Sequence, residues 1–162
     1  MPRTALYPGT FDPFTNGHLH ILQRISAFFD RIVIAISTQS DKQPLLSVEQ
    51  RGSLIGTLCQ SMPHISVRSF DGLLVDFAQH IQASAIVRGV RNAQDFAYEQ
   101  QLGAMNHELA PDVETLLFMA HPSVAHVSST WVRDIVRQGG DVSAFVPKIV
   151  ADAFTDMKQS SS

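Results

Sequence analysis

The sequence has little cysteine, little net charge and no long apolar run, and each shortage excludes a class of protein. Its single cysteine, Cys59, excludes an internal disulfide and indicates a reducing, cytoplasmic compartment. The net charge of −3 argues against a broad nucleic-acid-binding surface. No apolar stretch approaches the roughly 20 residues that span a bilayer, and the opening residues lack a signal-peptide pattern. We therefore expect no nucleic-acid partner and no membrane partner.

Two common phosphate-binding motifs are also missing. Neither G-x-x-x-x-G-K-[ST] nor G-x-G-x-x-G occurs anywhere in the chain. If the protein binds a nucleotide, it must do so with a different loop.

The composition is that of a folded domain. Hydrophobic residues make up 44% of the 162 residues and charged residues 17%, which allows a sizeable core. No linker or internal repeat divides the chain, so we predict one domain over residues 1–158 and a polar tail over residues 159–162. Cys59 lies on the apolar side of a predicted helix and is interpreted as a core thiol.

Apolar runs typical of buried strands alternate with segments that have a helical repeat. The predicted strands are residues 4–8, 31–37, 65–70, 84–89 and 114–120. The predicted helices are residues 17–29, 47–60, 72–83, 93–109 and 128–141, with one more near 147–157. Ser47 and Gln50 form a capping-box pattern, and Gly139 and Gly140 are helix-stop residues. The pattern predicts an α/β fold: a doubly wound, Rossmann-like, five-stranded parallel sheet with a C-terminal helical extension.

The stretch "YPGTFDPFTNGH", residues 7–18, connects the first strand to the first helix. Loop amides and a helix N-terminus together favour an anion. Gly9 allows close backbone approach, Thr10 offers a hydroxyl, and His18 could point its imidazole into the same pocket. The alternative is a plain strand-to-helix turn capped by Asn16.

Other strand ends carry further candidates, because ligands in such folds bind beyond the carboxyl ends of the strands. Lys42 follows the second strand, where a solvated charge is the alternative. Arg88 and Arg91 end the fourth strand and could fork onto phosphate oxygens. Their alternative is a surface salt bridge to Asp95 or Glu99.

Three hydroxyl residues after the fifth strand form another candidate phosphate site. Ser128, Ser129 and Thr130 begin a helix and therefore combine hydroxyls with free amides. The alternative is simple capping, which needs only one of the three.

Two motifs carry a family resemblance. Residues 15–18 (T-N-G-H) match the [HT]-x-G-H signature of the nucleotidylyltransferase superfamily, and "VSSTWVR", residues 127–133, resembles its second motif, I-S-S-T-x-[IV]-R. Threonine at the first signature position is usual in the phosphopantetheine adenylyltransferase branch. The segments "IVRGVR" and "DFAYEQQL" and the order of elements are also similar to that branch.

The resemblance implies individual roles. The catalytic residues would be His18, Thr10, Lys42, Arg91 and Ser129. The acceptor, 4′-phosphopantetheine, would be bound by Thr10, Lys42, Leu74 and Arg88. ATP would be bound by Thr10, Phe11, His18, Gly89, Val90, Arg91, Glu99, Val124, Ala125, His126, Val127, Ser128, Ser129 and Thr130.

The implied reaction is adenylyl transfer from ATP to 4′-phosphopantetheine, with Mg²⁺ accompanying the ATP. No carboxylates with obvious ligand spacing occur, so the metal would rest on phosphates and waters. The resembled family is homohexameric, which we adopt as an expectation. Two alternatives stay open: a nucleotidylyltransferase using nicotinate mononucleotide or a sugar or glycerol phosphate, and a non-catalytic nucleotide-binding module.

Overall fold

Residues 1–39 and 43–162 are described by a computed structural model, which has a five-stranded parallel sheet at its centre. The strands are β1 (Thr4–Gly9), β2 (Arg31–Ser37), β3 (Ile65–Phe70), β4 (Ala85–Val90) and β5 (Glu114–Met119). The helices are α1 (Asn16–Ile25), α2 (Val48–Leu58), α3 (Leu74–His80), α4 (Ala93–Leu109), α5 (Ser129–Arg137) and α6 (Lys148–Ser160). The predicted alternation of strands and helices is confirmed.

The differences from prediction lie at element ends. Helix α1 begins at Asn16, and Thr15 is its N-cap, so the interpretation of Asn16 as the cap is wrong. The capping box predicted for Ser47 and Gln50 at the start of α2 is present. Helix α6 continues to Ser160, so the first residues of the predicted polar tail are helical.

Both faces of the sheet are covered by helices. Alternate residues of β2 point to opposite faces, as the pleat of a strand requires. Ile34 packs in a cluster with Leu22 of α1 and Ile55 of α2. Val33 packs in a second cluster with Val75 of α3. Burial on both faces explains why β2 reads as a continuous apolar run rather than an alternating one.

Helices α5 and α6 form a third apolar cluster beside the sheet. Val132 of α5 packs with Val150 and Phe154 of α6, and Leu46 joins them from the segment before α2. The C-terminal helices are therefore attached to the chain that follows β2 as well as to each other.

All strands are parallel, and the order β3-β2-β1-β4-β5 means that successive strands are added outward from β1 to one side and then, from β4 onward, to the other. Strands β1 and β4 pair only at Ala5–Ala85 and Leu6–Ile86, whereas β1 and β2 pair through six residues each. The carboxyl ends of β1 and β4 therefore leave an opening between them, and ligands of doubly wound sheets bind at this point.

In residues 1–39 and 43–162, no helix combines the length and the apolar character that crossing a bilayer demands.

Candidate active site

A cavity of about 370 Å³ lies at the opening between β1 and β4. Its walls come from the ends of both strands and from the β1–α1 loop. The first two turns of α4 and the N-terminus of α5 complete them. It brings together most of the predicted site residues: Thr10, Phe11, His18, Arg88, Gly89, Val90, Arg91, Glu99, Val124, Val127, Ser128, Ser129 and Thr130.

Four predicted residues are not placed at this cavity. Lys42 lies outside the described residues. Leu74 packs against the apolar cluster on the α3 face of the sheet, and it is not among the described residues that line the cavity. Ala125 and His126 do not line it either, although both neighbours of this pair, Val124 and Val127, do.

The β1–α1 loop is shaped by an aromatic cluster. Phe11 has a φ of +52°, a left-handed conformation that L-residues seldom adopt. Its ring packs 5.5 Å from the rings of Tyr7 and Phe14 and 5.0 Å from that of His18. A Cβ on Gly9 would lie 3.0 Å from Cζ of Phe11. Glycine at position 9 therefore makes room for the Phe11 ring, which holds the loop in place.

His18 is held by a capping box at the start of α1. The hydroxyl of Thr15 accepts a hydrogen bond from the backbone N–H of His18 at 3.4 Å. In return, the backbone N–H of Thr15 donates to Nδ1 of His18 at 2.9 Å. Because this backbone group can only donate, Nδ1 must be the unprotonated nitrogen, and the neutral ring carries its proton on Nε2.

The surroundings of His18 keep its ring neutral. Burial, assisted by the positive charges of Arg91 and Arg88, lowers the pKa of His18 to about 4. Burial disfavours the charged imidazolium, and nearby cations repel it. At neutral pH the ring is therefore an uncharged N–H donor in a cavity that Arg88 and Arg91 also line.

Arg88 is bound by a carboxylate. Its Nε lies 2.9 and 3.0 Å from the two carboxylate oxygens of Glu99, and Nη2 lies 2.8 Å from Oε1. The Glu99 side chain is only 7% exposed, against 25% for Arg88. This is the salt bridge that the sequence left open as an alternative, but it lies inside the cavity rather than on the outer surface.

Arg91 is paired in a more exposed position. Its Nε donates to Asp95 Oδ2 at 2.9 Å, four residues on along the chain, and Nη1 donates to the carbonyl of Val127 at 3.3 Å. The guanidinium of Arg91 lowers the pKa of Asp95 through hydrogen bonding and charge, outweighing the effect of burial. Arg91 thus bridges the β4 end to the segment that leads into α5.

The N-terminus of α5 presents hydroxyl groups with different partners. Ser128 is the N-cap, and its hydroxyl accepts from the backbone N–H of Trp131 at 3.2 Å. Ser129 instead donates its hydroxyl to the carbonyl of Pro13 at 2.9 Å. Simple capping therefore accounts for Ser128 alone, and Ser129 connects α5 to the β1–α1 loop.

Two further charged residues at the site were missed in the sequence. Arg133 lines the cavity and donates from Nη1 to the carbonyl of Asp12 at 2.9 Å. Its position at the end of the "VSSTWVR" motif could have pointed to it. Asp12 is buried within the β1–α1 loop, and no sequence signal identified its partners because they lie far along the chain.

The described residues contain no group of three or more histidine, cysteine, aspartate or glutamate side chains arranged to hold a metal ion. The two carboxylates of the cavity, Asp95 and Glu99, are both engaged by arginines.

Comparison with known proteins agrees with this geometry. A family model described as cytidylyltransferase-like matches residues 6–135. Phosphopantetheine adenylyltransferase of Hahella chejuensis is 45% identical over 150 residues, which cover 93% of each chain. The protein of that name from Caldanaerobacter subterraneus subsp. tengcongensis is 42% identical over 150 residues, covering 93% of this chain and 94% of its own.

A solved structure shows the same fold at low sequence identity. The crystal structure of a bifunctional NMN adenylyltransferase/ADP ribose pyrophosphatase from Francisella tularensis has a TM-score of 0.77 at 14% identity. The match covers 98% of this chain and 50% of that one, so the likeness concerns the fold of one part of the larger protein. The family model and the two relatives above 40% identity show that the chain belongs to the cytidylyltransferase-like family and, more narrowly, to the phosphopantetheine adenylyltransferase family.

Proposed function

We propose that the protein transfers the adenylyl group of ATP to 4′-phosphopantetheine, giving dephospho-coenzyme A and pyrophosphate. One observation carries the proposal: a single cavity gathers Thr10, His18, Arg88, Arg91 and Ser129 from three separate parts of the chain. Hydroxyl, imidazole and guanidinium groups around one opening suit two phosphate-bearing substrates. The names of the relatives support the choice of acceptor.

The reaction joins a phosphate oxygen of the acceptor to the α-phosphorus of ATP and breaks the bond from that phosphorus to pyrophosphate. A phosphate monoester has a second pKa of about 6, so the attacking group is already ionised at pH 7. No general base is required. The site must instead hold two repelling anions in line and stabilise the charge that builds on the α-phosphate.

His18 is suited to stabilise that charge. Its Nε2 proton is fixed by the bond from Thr15, and the ring is uncharged because burial and the arginines lower its pKa to about 4. A preorganised donor needs no rearrangement as the reaction proceeds, which is why such donors contribute about 10²–10³ in rate. We assign His18 to the α-phosphate.

Arg91 and Arg88 are proposed to bind different substrates. Arg91, close to Val127 at the N-terminus of α5, would bind ATP together with the helix amides and Ser129. Arg88, with Thr10 and Lys42, would bind the acceptor phosphate. Each arginine already has a carboxylate partner, so a phosphate must share or displace that partner.

Glu99 is proposed to act through Arg88. Both described hydrogen bonds to its carboxylate oxygen Oε1 come from the Arg88 guanidinium, and the side chain is nearly inaccessible to solvent. A role in orienting Arg88 is therefore better supported than a direct bond to the nucleotide. Leu74, which packs away from the cavity, has no comparable support as a pantetheine contact.

We propose that Mg²⁺ enters with ATP as part of the substrate. The carboxylates of the cavity are held by arginines, so the chain would contact the metal little, and the ion would neutralise phosphate charge. The residues fit this arrangement better than a resident metal centre.

We also propose a homohexamer in the cytoplasm. Helix α4 exposes large apolar side chains, among them Phe96, Tyr98, Met105 and Leu109, and Met119 at the end of β5 is exposed as well. Exposed apolar side chains of this size favour self-association. The number six comes from the family resemblance alone.

Pyrophosphate release separates the candidate functions. The protein is incubated with Mg²⁺ and ATP, together with 4′-phosphopantetheine, nicotinate mononucleotide, or a sugar or glycerol phosphate in separate reactions. We expect release only with 4′-phosphopantetheine. Release with another acceptor would support a different nucleotidylyltransferase, and tight ATP binding without release under any acceptor would support a binding module.

A further inference from the structure

Asp12 is a buried carboxylate in the β1–α1 loop that has no place in the reaction as described above. The residue is 2% exposed. One carboxylate oxygen accepts from the backbone N–H of Leu45 and the other from that of Leu46, both at 2.9 Å. The carbonyl of Asp12 accepts from Arg133 at 2.9 Å. Asp12 thus joins the loop to the segment before α2 and to α5.

Arg51 of α2 makes a second connection across the same joint. This residue is 1% exposed, and its Nη1 donates to the carbonyl of Thr10 at 2.7 Å. Its Nε donates to the carbonyls of Leu46 and Ser47 at 3.1 and 3.2 Å. The Asp12 side chain accepts from the segment before α2, whereas the Arg51 side chain donates to that segment and to the β1–α1 loop. Both charged side chains therefore connect the same two segments.

We propose that Asp12 is a positioning residue that sets the register of the phosphate-binding loop against the segment that leads into α2. This inference rests on the proposed function. A carboxylate bound by two adjacent backbone amides resists both sliding and rotation of the loop, and such charge-assisted bonds are short and strong. Thr10 and His18 lie on either side of Asp12 in the chain, so the position at which Asp12 holds the loop also determines the positions of Thr10 and His18.

The rate of transfer should therefore be sensitive to small displacements of the β1–α1 loop. A displacement of about 1 Å in a group that positions substrate can cost about 10²-fold in rate. The contacts proposed for ATP at Arg91 and at the N-terminus of α5 do not pass through the Asp12 carboxylate. Loss of that carboxylate should therefore separate the rate of transfer from the binding of ATP.

The test uses the Asp12→Asn variant, which keeps the shape of the side chain but turns one acceptor into an N–H₂ group facing a backbone N–H. Asp30→Asn is the matched control, because Asp30 also accepts a backbone N–H, that of Arg3 at 2.7 Å, but at the amino end of β2, the end of the sheet opposite to the cavity. Initial rates of pyrophosphate release, ATP binding by calorimetry and thermal melting are measured for wild type and both variants.

We expect Asp12→Asn to fold and to bind ATP within about threefold of wild type, while kcat/KM for 4′-phosphopantetheine falls by about 10². Asp30→Asn should match wild type in activity. Wild-type kcat and KM in a folded Asp12→Asn protein would overturn the inference. A parallel loss of ATP binding and activity would also overturn it, because the residue would then be supporting the whole pocket.

A second variant keeps the test decisive if Asp12→Asn does not fold. Arg51→Lys retains the positive charge but cannot hold Thr10, Leu46 and Ser47 together, and it should reduce kcat/KM by about tenfold with ATP binding retained. Unchanged kinetics in this variant would contradict the proposal. If the wild-type protein itself fails to use 4′-phosphopantetheine, the proposed function falls first, which distinguishes the two failures.

Discussion

The backbone N–H of Thr15 donates a hydrogen bond to Nδ1 of His18, with the two nitrogens 2.9 Å apart. This one contact both caps helix α1 and decides which ring nitrogen carries the proton. The motif residue that the reaction needs as a donor is therefore prepared by local structure before any ligand binds.

The first prediction concerns the protonation of His18. Long-range ¹H–¹⁵N NMR of the free protein should show the Nε2–H tautomer, with a pKa of about 4. Because this value lies below the roughly 6.5 of an unfolded chain, folding favours the neutral ring. This preference adds to the free energy of unfolding in full above about pH 6.5, and the addition is lost as the pH falls to about 4. An Nδ1–H tautomer, or a pKa at the unfolded value, would contradict the assignment.

The second prediction is that His18→Ala lowers turnover by a factor of about 10³, equivalent to about 4 kcal/mol. The variant should fold but lose about 1 kcal/mol of stability, because it also removes one half of the capping box. Thr15→Ala is the control, since it weakens the same cap while leaving the imidazole in place. Near-normal turnover in His18→Ala would refute the role given to this residue.

The third prediction compares the two ion pairs of the site. Glu99→Gln should lower the free energy of unfolding by about 1.5–3 kcal/mol, because Glu99 is buried and accepts charged hydrogen bonds from Arg88. Asp95→Asn, which breaks the more exposed pair with Arg91, should cost less than about 1 kcal/mol. Urea unfolding of both variants checks the order, and equal losses would show that burial does not distinguish the pairs.

The fourth prediction separates the two arginines by substrate. Arg88→Ala should weaken binding of 4′-phosphopantetheine by about 10–100-fold and leave ATP binding nearly unchanged, as expected for losing charged hydrogen bonds. Arg91→Ala should show the reverse. Calorimetric titration of each variant with each ligand measures this, and unchanged acceptor affinity in Arg88→Ala would remove that residue from the acceptor site.

The fifth prediction concerns assembly. Met105 of α4 is 65% exposed, and a charge placed there should disrupt an apolar interface between copies. Met105→Glu should therefore lower the molar mass seen by light scattering, whereas Gln60→Glu, an exposed change after α2, should not. A monomeric wild-type protein would end the proposal of a homohexamer.

The local features of the fold could be predicted because they depend on neighbouring residues. Strand β2 and helix α4 have the predicted bounds, and the capping box of Ser47 and Gln50 is present as its spacing indicated. A run of apolar residues, a helical repeat and a cap are all encoded within a few positions. The gathering of strand ends followed in turn from the parallel order that those elements imply.

The arrangement within the site depended on residues that meet only after folding. Asp12 accepts hydrogen bonds from backbone groups 33 and 34 residues away. Arg88 pairs with Glu99, 11 residues further along the chain, whereas the sequence left both Asp95 and Glu99 possible as its partner. The early divergence of β1 from β4, which opens the cavity, is likewise absent from any local pattern.

The sequence by itself thus determined the order of the elements, the capping box at the start of α2 and the residues available at the strand ends, because these follow from short-range geometry and burial. Only the tertiary structure decided which charges are paired, which nitrogen of His18 donates and which predicted residues, such as Leu74, lie away from the cavity. Those choices depend on side chains that packing brings together from distant parts of the chain.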